Sequence, residues 1–392
     1  MNTSEKDKQL AVKANGIMLA VIFLLFLFGF AAALLIKPAR EFSEVENRNL
    51  AQKPELSWKN ITDGTFSDQL EKYISDQILW KDSLVSLKTD FDKLLANNYH
   101  NGVYICKEKS GDLRYIQRYK ENEAQIKKNV GCINEFAGNI DVPVDFILVP
   151  NAAARFKGRM PESMITDDQE ASFAKVGAEL SDKVNFYPML EPMVWNGHDN
   201  YYYRTDHHWT SLGAWTAVMS YLDDSRQNIL IPTDNGQAAY TCETVGDFLG
   251  TLYSKAPSAF ATSDNVQIYS NPNGAYQVEW VSEGRTSDSI IDRSFLEKKD
   301  KYAAFLGGNF TRVNIKSNNS GEKVLILKDS YANAAMQFLV DQYSEITMID
   351  MRYYHMQEKK VSELVEELGV DRVIMLYNMD FLNEDNNFIW IS

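Results

Sequence analysis

Arg204-Thr205-Asp206-His207-His208-Trp209-Thr210 packs a carboxylate and two imidazoles into three consecutive positions of a chain with only five histidines. Such groups are costly to bury unless they bond one another or a metal. Far downstream, Val324-Leu325-Ile326-Leu327-Lys328-Asp329-Ser330-Tyr331 is a short apolar run that ends in a serine. An imidazole, a carboxylate to orient it and a serine at a strand end are the parts needed for nucleophilic acyl chemistry.

Ser330 follows an apolar strand and precedes a helical segment, which predicts its hydroxyl at the carboxyl edge of a sheet, where open α/β folds bind ligands. The first turn of that helix offers unpaired N–H groups and a partial positive charge, both suited to a developing oxyanion. The same local sequence also fits Ser330 as a plain helix N-cap with Asp329 as a turn residue. In an extended segment residues i and i+2 share a side, so Asp206 can fix the tautomer of His208 and stabilise its imidazolium. His207 faces the other way and suits that work less well. The bland alternative is a polar cap on the next helix. Asp-His-His can also open a manganese or zinc site, but that chemistry needs further converging ligands. His100, His198 and His355 stand in unrelated contexts, with Gly197-His198-Asp199 the nearest. No metal ligand set is assigned, and the chemistry calls for no cofactor.

The elements that must position these groups alternate along the chain. Val144–Val149, Val324–Leu327, Ile346–Ile349 and Val373–Leu376 suit buried strands, the first stopped by Pro150. Helical spacing marks Glu121–Ala137, Glu170–Leu180, Ser211–Leu222, Tyr331–Val340 and Val361–Leu368, with Thr210 placed to cap the third. Buried strands separated by amphipathic helices predict an α/β fold with a mostly parallel sheet covered on both faces. Val103–Ile105 reads as a short strand before a turn at Gly111. Between Ile229 and Ser320 the helical patterns lapse into short β-prone runs such as Gln277-Val278-Glu279-Trp280, an inserted β-rich lobe. Tyr201-Tyr202-Tyr203 offers flat rings to a sugar, but consecutive tyrosines more often split between core and surface, and a structural role is expected. Trp209 and Trp215 are expected to pack behind the motif.

Ile17 to Ile36 is uninterrupted apolar sequence between Lys13 and Lys37. Twenty residues at 1.5 Å rise span roughly 30 Å, the hydrocarbon thickness of a bilayer. A cleaved signal peptide would carry a shorter apolar region ending in a small-x-small site. The expected division is therefore a short cytoplasmic tail (1–16), a transmembrane signal anchor (17–36), a helical connector (37–98) and one domain (99–392) with its β-rich insertion at about 229–320. Basic residues flank the apolar run on both sides and do not fix its orientation. A short tail before it and a large domain after it favour an extracytoplasmic C-terminal part at the cell membrane. A net charge of −14 argues against nucleic acid as a partner. Three widely spaced cysteines, Cys106, Cys132 and Cys242, match neither a disulfide framework nor a zinc site.

Several blocks, in order, resemble the DHHW protein family: Glu46-Asn47-Arg48, Thr205 to Thr210, Asp247-Phe248-Leu249-Gly250-Thr251-Leu252-Tyr253, Phe305-Leu306-Gly307-Gly308-Asn309, Lys328 to Asn333 and Ile349-Asp350-Met351-Arg352-Tyr353. That family is related to the SGNH-hydrolase-like domains of bacterial alginate O-acetylation proteins, in which an Asp-x-His pair precedes the nucleophilic serine. The resemblance implies an SGNH-like fold with Ser330 as nucleophile, His208 as general base and Asp206 as its orienter. It implies O-acetyltransferase or acetylesterase activity on cell-envelope or secreted polysaccharide, with a multi-pass membrane acyltransferase as acetyl donor. Cys106 stands where the family pattern has glycine, and no N-terminal Gly-Asp-Ser block is present. The oxyanion donors are therefore sought among the Tyr331 backbone N–H and Asn309, while Arg352 and His207 are candidates for holding substrate. The competing class is a non-catalytic glycan-binding or scaffold component of an envelope polysaccharide-modification complex.

Overall fold

The computed structural model describes residues 3–160, 164–225, 233–234, 237–238, 240–354 and 359–391; His355 and the first residues of the β-rich stretch, 229–232, lie outside them. The chain divides into two compact units, Met1–Leu94 with Pro257–Ala259, and Leu95–Ala256 with Phe260–Ser392.

In the first unit, helix α1 (Thr3–Ile36) contains Val12–Leu34, a stretch long and apolar enough to cross a membrane and nowhere buried. Helices α2 (Thr65–Gln77) and α3 (Lys81–Leu94) follow. Glu46-Asn47-Arg48 ties this region together. Arg48 pairs with Asp76, and the buried Lys81 ammonium lies 2.7 Å from Glu46 and 2.9 Å from Asp76. The Arg48 guanidinium and the Ala51 N–H hold the Asp76 carboxyl well below the usual carboxylate range. Leu84, Leu87, Phe91 and Leu94, which recur along α3 at helical spacing, lie on an exposed face rather than in a core.

The second unit begins with a hairpin of β1 (Val103–Lys107) and β2 (Leu113–Gln117), turning at Gly111, whose φ of 98° favours glycine. Then come α4 (Glu123–Gly138), β3 (Val144–Val149), α5 (Gln169–Glu179), β4 (Val184–Pro188) and α6 (Ser211–Asp224), capped by the Thr210 hydroxyl as expected. Strands β5 (Thr241–Phe248) and β6 (Asp264–Ser270) pair with each other. The remainder is β7 (Tyr276–Trp280), β8 (Arg285–Ser287), β9 (Arg312–Ser317), β10 (Lys323–Lys328), α7 (Tyr331–Leu339), β11 (Glu345–Ile349), α8 (Val361–Leu368), β12 (Arg372–Asn378) and α9 (Met379–Glu384).

One eight-stranded sheet runs β8-β7-β9-β11-β10-β12-β3-β4. From β11 to β4 the strands are parallel; β9, β7 and β8 extend the other edge antiparallel. Part of the β-rich stretch therefore belongs to the main sheet, while β5 with β6, and the short pair Thr233–Asp234 with Gln237–Ala238, stand apart from it. All of β3, and β10 from Val324 onward, is buried, as a sheet covered on both faces requires. After β10 the chain goes to β11 on one side and then to β12 on the other. This reversal leaves a crevice outside the carboxyl end of β10, the usual ligand position in open α/β sheets. Tyr201, Tyr202 and Tyr203 are buried and form no sugar platform. Trp209 is also buried, its indole N–H donating to the Tyr331 carbonyl at 3.0 Å, and Trp215 packs against Phe338.

Candidate active site

Ser330 leaves the carboxyl end of β10 and begins α7 with relaxed helical dihedrals, φ −69° and ψ −17°, and its side chain makes no capping bond. Asp329 does the capping instead. One carboxylate oxygen accepts the Tyr331 N–H at 2.8 Å and the other the Asn378 N–H at 2.6 Å, so this residue ties α7 to the end of β12. Burial pushes the Asp329 carboxyl up to about 6, against the pull of those two N–H groups. Beneath it, Lys328 is buried with its ammonium on Asn333 (2.8 Å), Asn309 (3.0 Å) and Asp350 (3.6 Å), and burial pushes its pKa down to about 8.

Asp206, His207 and His208 sit on a loop stabilised from outside. The Thr205 hydroxyl and N–H both donate to buried Asp264. The Asp206 carboxylate accepts the His208 ring Nδ1–H at 2.6 Å and the His208 backbone N–H at 3.0 Å on one oxygen. Its other oxygen accepts the Thr251 N–H at 2.7 Å and the Thr251 hydroxyl at 2.9 Å. Burial alone would raise the Asp206 pKa, but the two imidazoles and the Thr251 N–H more than offset it and keep the group ionised. Gly250 allows this fit, because a Cβ there would lie 2.3 Å from that of Asp206. With Nδ1–H spent on a carboxylate, His208 presents Nε2 as an acceptor, and the Ser330 hydroxyl lies 2.8 Å from it. The structure thus joins Asp206, His208 and Ser330 in one hydrogen-bonded relay. The reading of Ser330 as a mere N-cap fails on the same geometry.

Ser330 opens into a cleft of about 430 Å³ whose walls include His207, Lys255, Arg352, Asp380 and Glu384. Arg352 is held by both oxygens of Asp350 through Nε and Nη2, at the same sheet edge as the serine. Burial pushes the Asp380 carboxyl up to about 7, although Asn151 donates to it at 2.7 Å.

Of the two expected oxyanion donors, one is already bonded and the other does not line the cleft. The Tyr331 N–H is bonded to Asp329. Asn309 is not among the residues lining the cleft, and its side-chain oxygen accepts from Lys328 and Asn333. The physical reason is the substitution of caps: with Asp329 bonding the first helical N–H, the first free donor is one residue earlier. The Ser330 N–H makes no hydrogen bond among the described residues.

Tyr302 and Thr251 are site residues that the motifs did not single out. Tyr302 stacks flat on His208, centroids 3.7 Å apart and planes within 9°, and its hydroxyl donates to the Ser330 carbonyl at 3.0 Å. Its only sequence signal is its place just before the Phe305-Leu306-Gly307-Gly308-Asn309 block; Thr251 lay inside a quoted block without a role. Asp206, His207 and His208 also bring one possible ligand atom each within 4.8 Å of one another, the only such group among the described residues. Both Asp206 oxygens and both His208 nitrogens are already engaged, so a cation would have to displace the relay.

The sequence model of the DHHW protein family matches residues 146–349, just over half the chain. No curated protein matches it. Among solved structures, a DHHW family protein from Eubacterium siraeum DSM 15702 is 23% identical, with a TM-score of 0.63 over 74% of this chain and 94% of its own. PatB1 of Bacillus cereus is 20% identical, with a TM-score of 0.59 over 74% of this chain and 99% of its own. PatB1 is also known with a sulfonyl adduct, which aligns equally well, with a TM-score of 0.59. These similarities concern the fold.

Proposed function

The chain belongs to the DHHW protein family, and on that premise we propose that it is a membrane-anchored, extracytoplasmic SGNH-like enzyme that moves acetyl groups on cell-envelope or secreted polysaccharide through an acyl-serine. The observation that carries the reading is the continuous relay from Asp206 through His208 to the Ser330 hydroxyl at the mouth of a cleft. The acetyl group, the polysaccharide and a multi-pass membrane acyltransferase as donor come from the family resemblance; the apolar N-terminal helix supports the anchor.

In the first half-reaction His208 Nε2 takes the hydroxyl proton as Ser330 Oγ attacks the acyl carbonyl, and Asp206 stabilises the imidazolium so formed. The free Ser330 N–H, at the positive end of α7, is the donor nearest the developing oxyanion. His208 then returns the proton to the leaving group. In the second half-reaction His208 deprotonates the incoming hydroxyl, of a glycan for a transferase or of water for an esterase. The two activities share every residue named and differ in how well the cleft excludes water.

The test is covalent labelling of the detergent-solubilised full chain with a fluorophosphonate or sulfonyl fluoride, followed by peptide mapping and release of acetate from a chromogenic ester. Modification at Ser330, lost in Ser330→Ala and His208→Ala together with ester turnover, is the expected result. A chain that neither labels nor turns over ester is the glycan-binding or scaffold protein of the alternative reading.

A further inference from the structure

His207 shares the site with His208, and the chemistry above gives it no task. Its ring lies 3.8 Å from that of His208, centroid to centroid, and its side chain is 35% exposed in the wall of the cleft. Its Nδ1 is 2.6 Å from the Thr251 hydroxyl. That contact fixes the tautomer. The Thr251 hydroxyl has one proton and lies 2.9 Å from an ionised Asp206 oxygen, which can only accept. Were the proton turned to His207 instead, two oxygens would face each other lone pair to lone pair beside a full negative charge. Thr251 therefore donates to Asp206 and accepts from His207 Nδ1–H, which leaves Nε2 unprotonated. This Nε2 has no hydrogen-bond partner among the described residues. Partial burial and the neighbouring His208 hold the His207 pKa below its ordinary value, so the ring stays neutral and Nε2 stays an acceptor at physiological pH. An acceptor cannot donate to an oxyanion, which removes that role from His207.

His207 lines the cleft and His208 meets it at Ser330; both rings turn Nδ1 toward Asp206 Oδ1, at 3.7 and 2.6 Å, so their Nε2 acceptors stand side by side on the far edges. In the resting site His208 Nε2 is occupied by the Ser330 hydroxyl; once Ser330 is acylated it has no proton to give, and both acceptors are open. One alcohol hydroxyl cannot satisfy both, because it carries a single hydrogen; water can, and hydrolysis is the competing outcome. From this we infer that the acceptor is a vicinal diol: one hydroxyl attacks while donating to His208, and its neighbour on the adjacent carbon donates to His207 Nε2. Rings at stacking distance hold their acceptors too close together to reach hydroxyls on opposite sides of a pyranose. The step balances. The attacking oxygen bonds the acyl carbon as its proton passes to His208 Nε2; the bond from that carbon to Ser330 Oγ then breaks, and the proton moves from Nε2 to Oγ. His207 holds the second hydroxyl and exchanges no proton, so it is a positioning and specificity residue. This deepens the proposed acyl-transfer function and rests on it.

The test uses the detergent-solubilised full chain, an activated acetate ester as donor, and cis-1,2-cyclohexanediol or cyclohexanol as acceptor, following acyl-enzyme formation and the split of deacylation between transfer and hydrolysis. Wild type is expected to transfer to the diol at least tenfold faster than to the mono-alcohol. His207→Phe should lose that preference, read as the ratio of transfer to the two alcohols from the acyl-enzyme that the variant itself forms, and His207→Gln, whose carbonyl oxygen can accept, should recover part of it. Equal transfer to both alcohols by wild type, or an unchanged preference in His207→Phe, overturns the inference while acyl-serine still forms. Should the variants fail to fold, the wild-type acceptor comparison and the ¹⁵N shifts of His207 decide, an unprotonated Nδ1 overturning it. If wild type forms no acyl-serine at all, the functional reading itself fails.

Discussion

Ser330 is placed by residues next to it, whereas His208 is placed by residues far from it in sequence. The serine stands at the end of a central parallel strand, and sheet register sets its position. Asp329 then locks the adjoining helix to the neighbouring strand through the Tyr331 and Asn378 N–H groups. The base has no such frame. Its loop is held by Thr251, 45 residues from Asp206, by Asp264, 59 residues from Thr205, and by the ring of Tyr302. A strand end is a rigid platform, while a loop carries a reactive group accurately only when tertiary bonds over-determine it. The base half should therefore be the easier half to break without touching a reacting atom.

Asp206→Asn should have the largest effect. An amide in that place favours the wrong His208 tautomer, and acyl-enzyme formation should fall on the order of 10³–10⁴-fold in a burst assay. Gly250→Ala comes next. Its new Cβ would meet Asp206 at 2.3 Å and must displace it, and a shift of about 1 Å at such a group costs on the order of 10²-fold. A Gly250→Ala enzyme with wild-type burst rate would show that the loop is not held as tightly as its bonds suggest. Tyr302 sharpens the comparison because it touches both halves, stacking on His208 and donating to the Ser330 carbonyl. Tyr302→Leu removes both contacts and should slow acylation about tenfold, the scale of a lost ring–cation contact once His208 is protonated. Tyr302→Phe keeps the ring and should lose only a few-fold. Equal losses in the two variants would assign the whole effect to the hydroxyl.

The same contrast explains what the sequence disclosed. Strands β3, β10, β11 and β12 and helices α5 to α8 are local patterns of period 2 or 3.6 and fall within a few residues of their expected ends. Ser330 at a strand end, and Asp206 two residues before His208, are equally local. The membership of β7, β8 and β9 in the main sheet was not legible, because antiparallel extension of an edge depends on pairing with β11, remote in the chain. Nor was the loss of the Tyr331 N–H to Asp329, since an Asp before a Ser at a helix start allows either residue to cap. Thr251, Gly250 and Tyr302 matter through contacts across dozens of residues, and spacing cannot report those.

The smallest expected effect concerns pH and stability, and it separates the two halves by sign. On the serine side Asp329 and Asp380 have pKa values raised by burial to about 6 and about 7. A carboxyl whose folded-state pKa exceeds its unfolded one favours the folded state when protonated, and that contribution is lost as pH rises through 6 and 7. On the base side Asp206 is lowered, so its contribution is lost only in strong acid, while His207, also lowered, adds stability as pH rises toward its ordinary value of 6.5 and opposes part of the decline. Lys328, depressed to about 8, is relieved of its burial penalty only above that pH and cannot mask a decline at 6 to 7. The thermal midpoint should therefore fall between pH 5 and pH 8. Asp380→Asn removes one titrating group while its amide oxygen can still accept from Asn151, so its midpoint should match wild type at pH 5 and exceed it at pH 8 by about 2–4 °C. A variant that declines as steeply as wild type would show that the strand-end carboxylates are solvated and that the serine platform is no drier than the loop facing it.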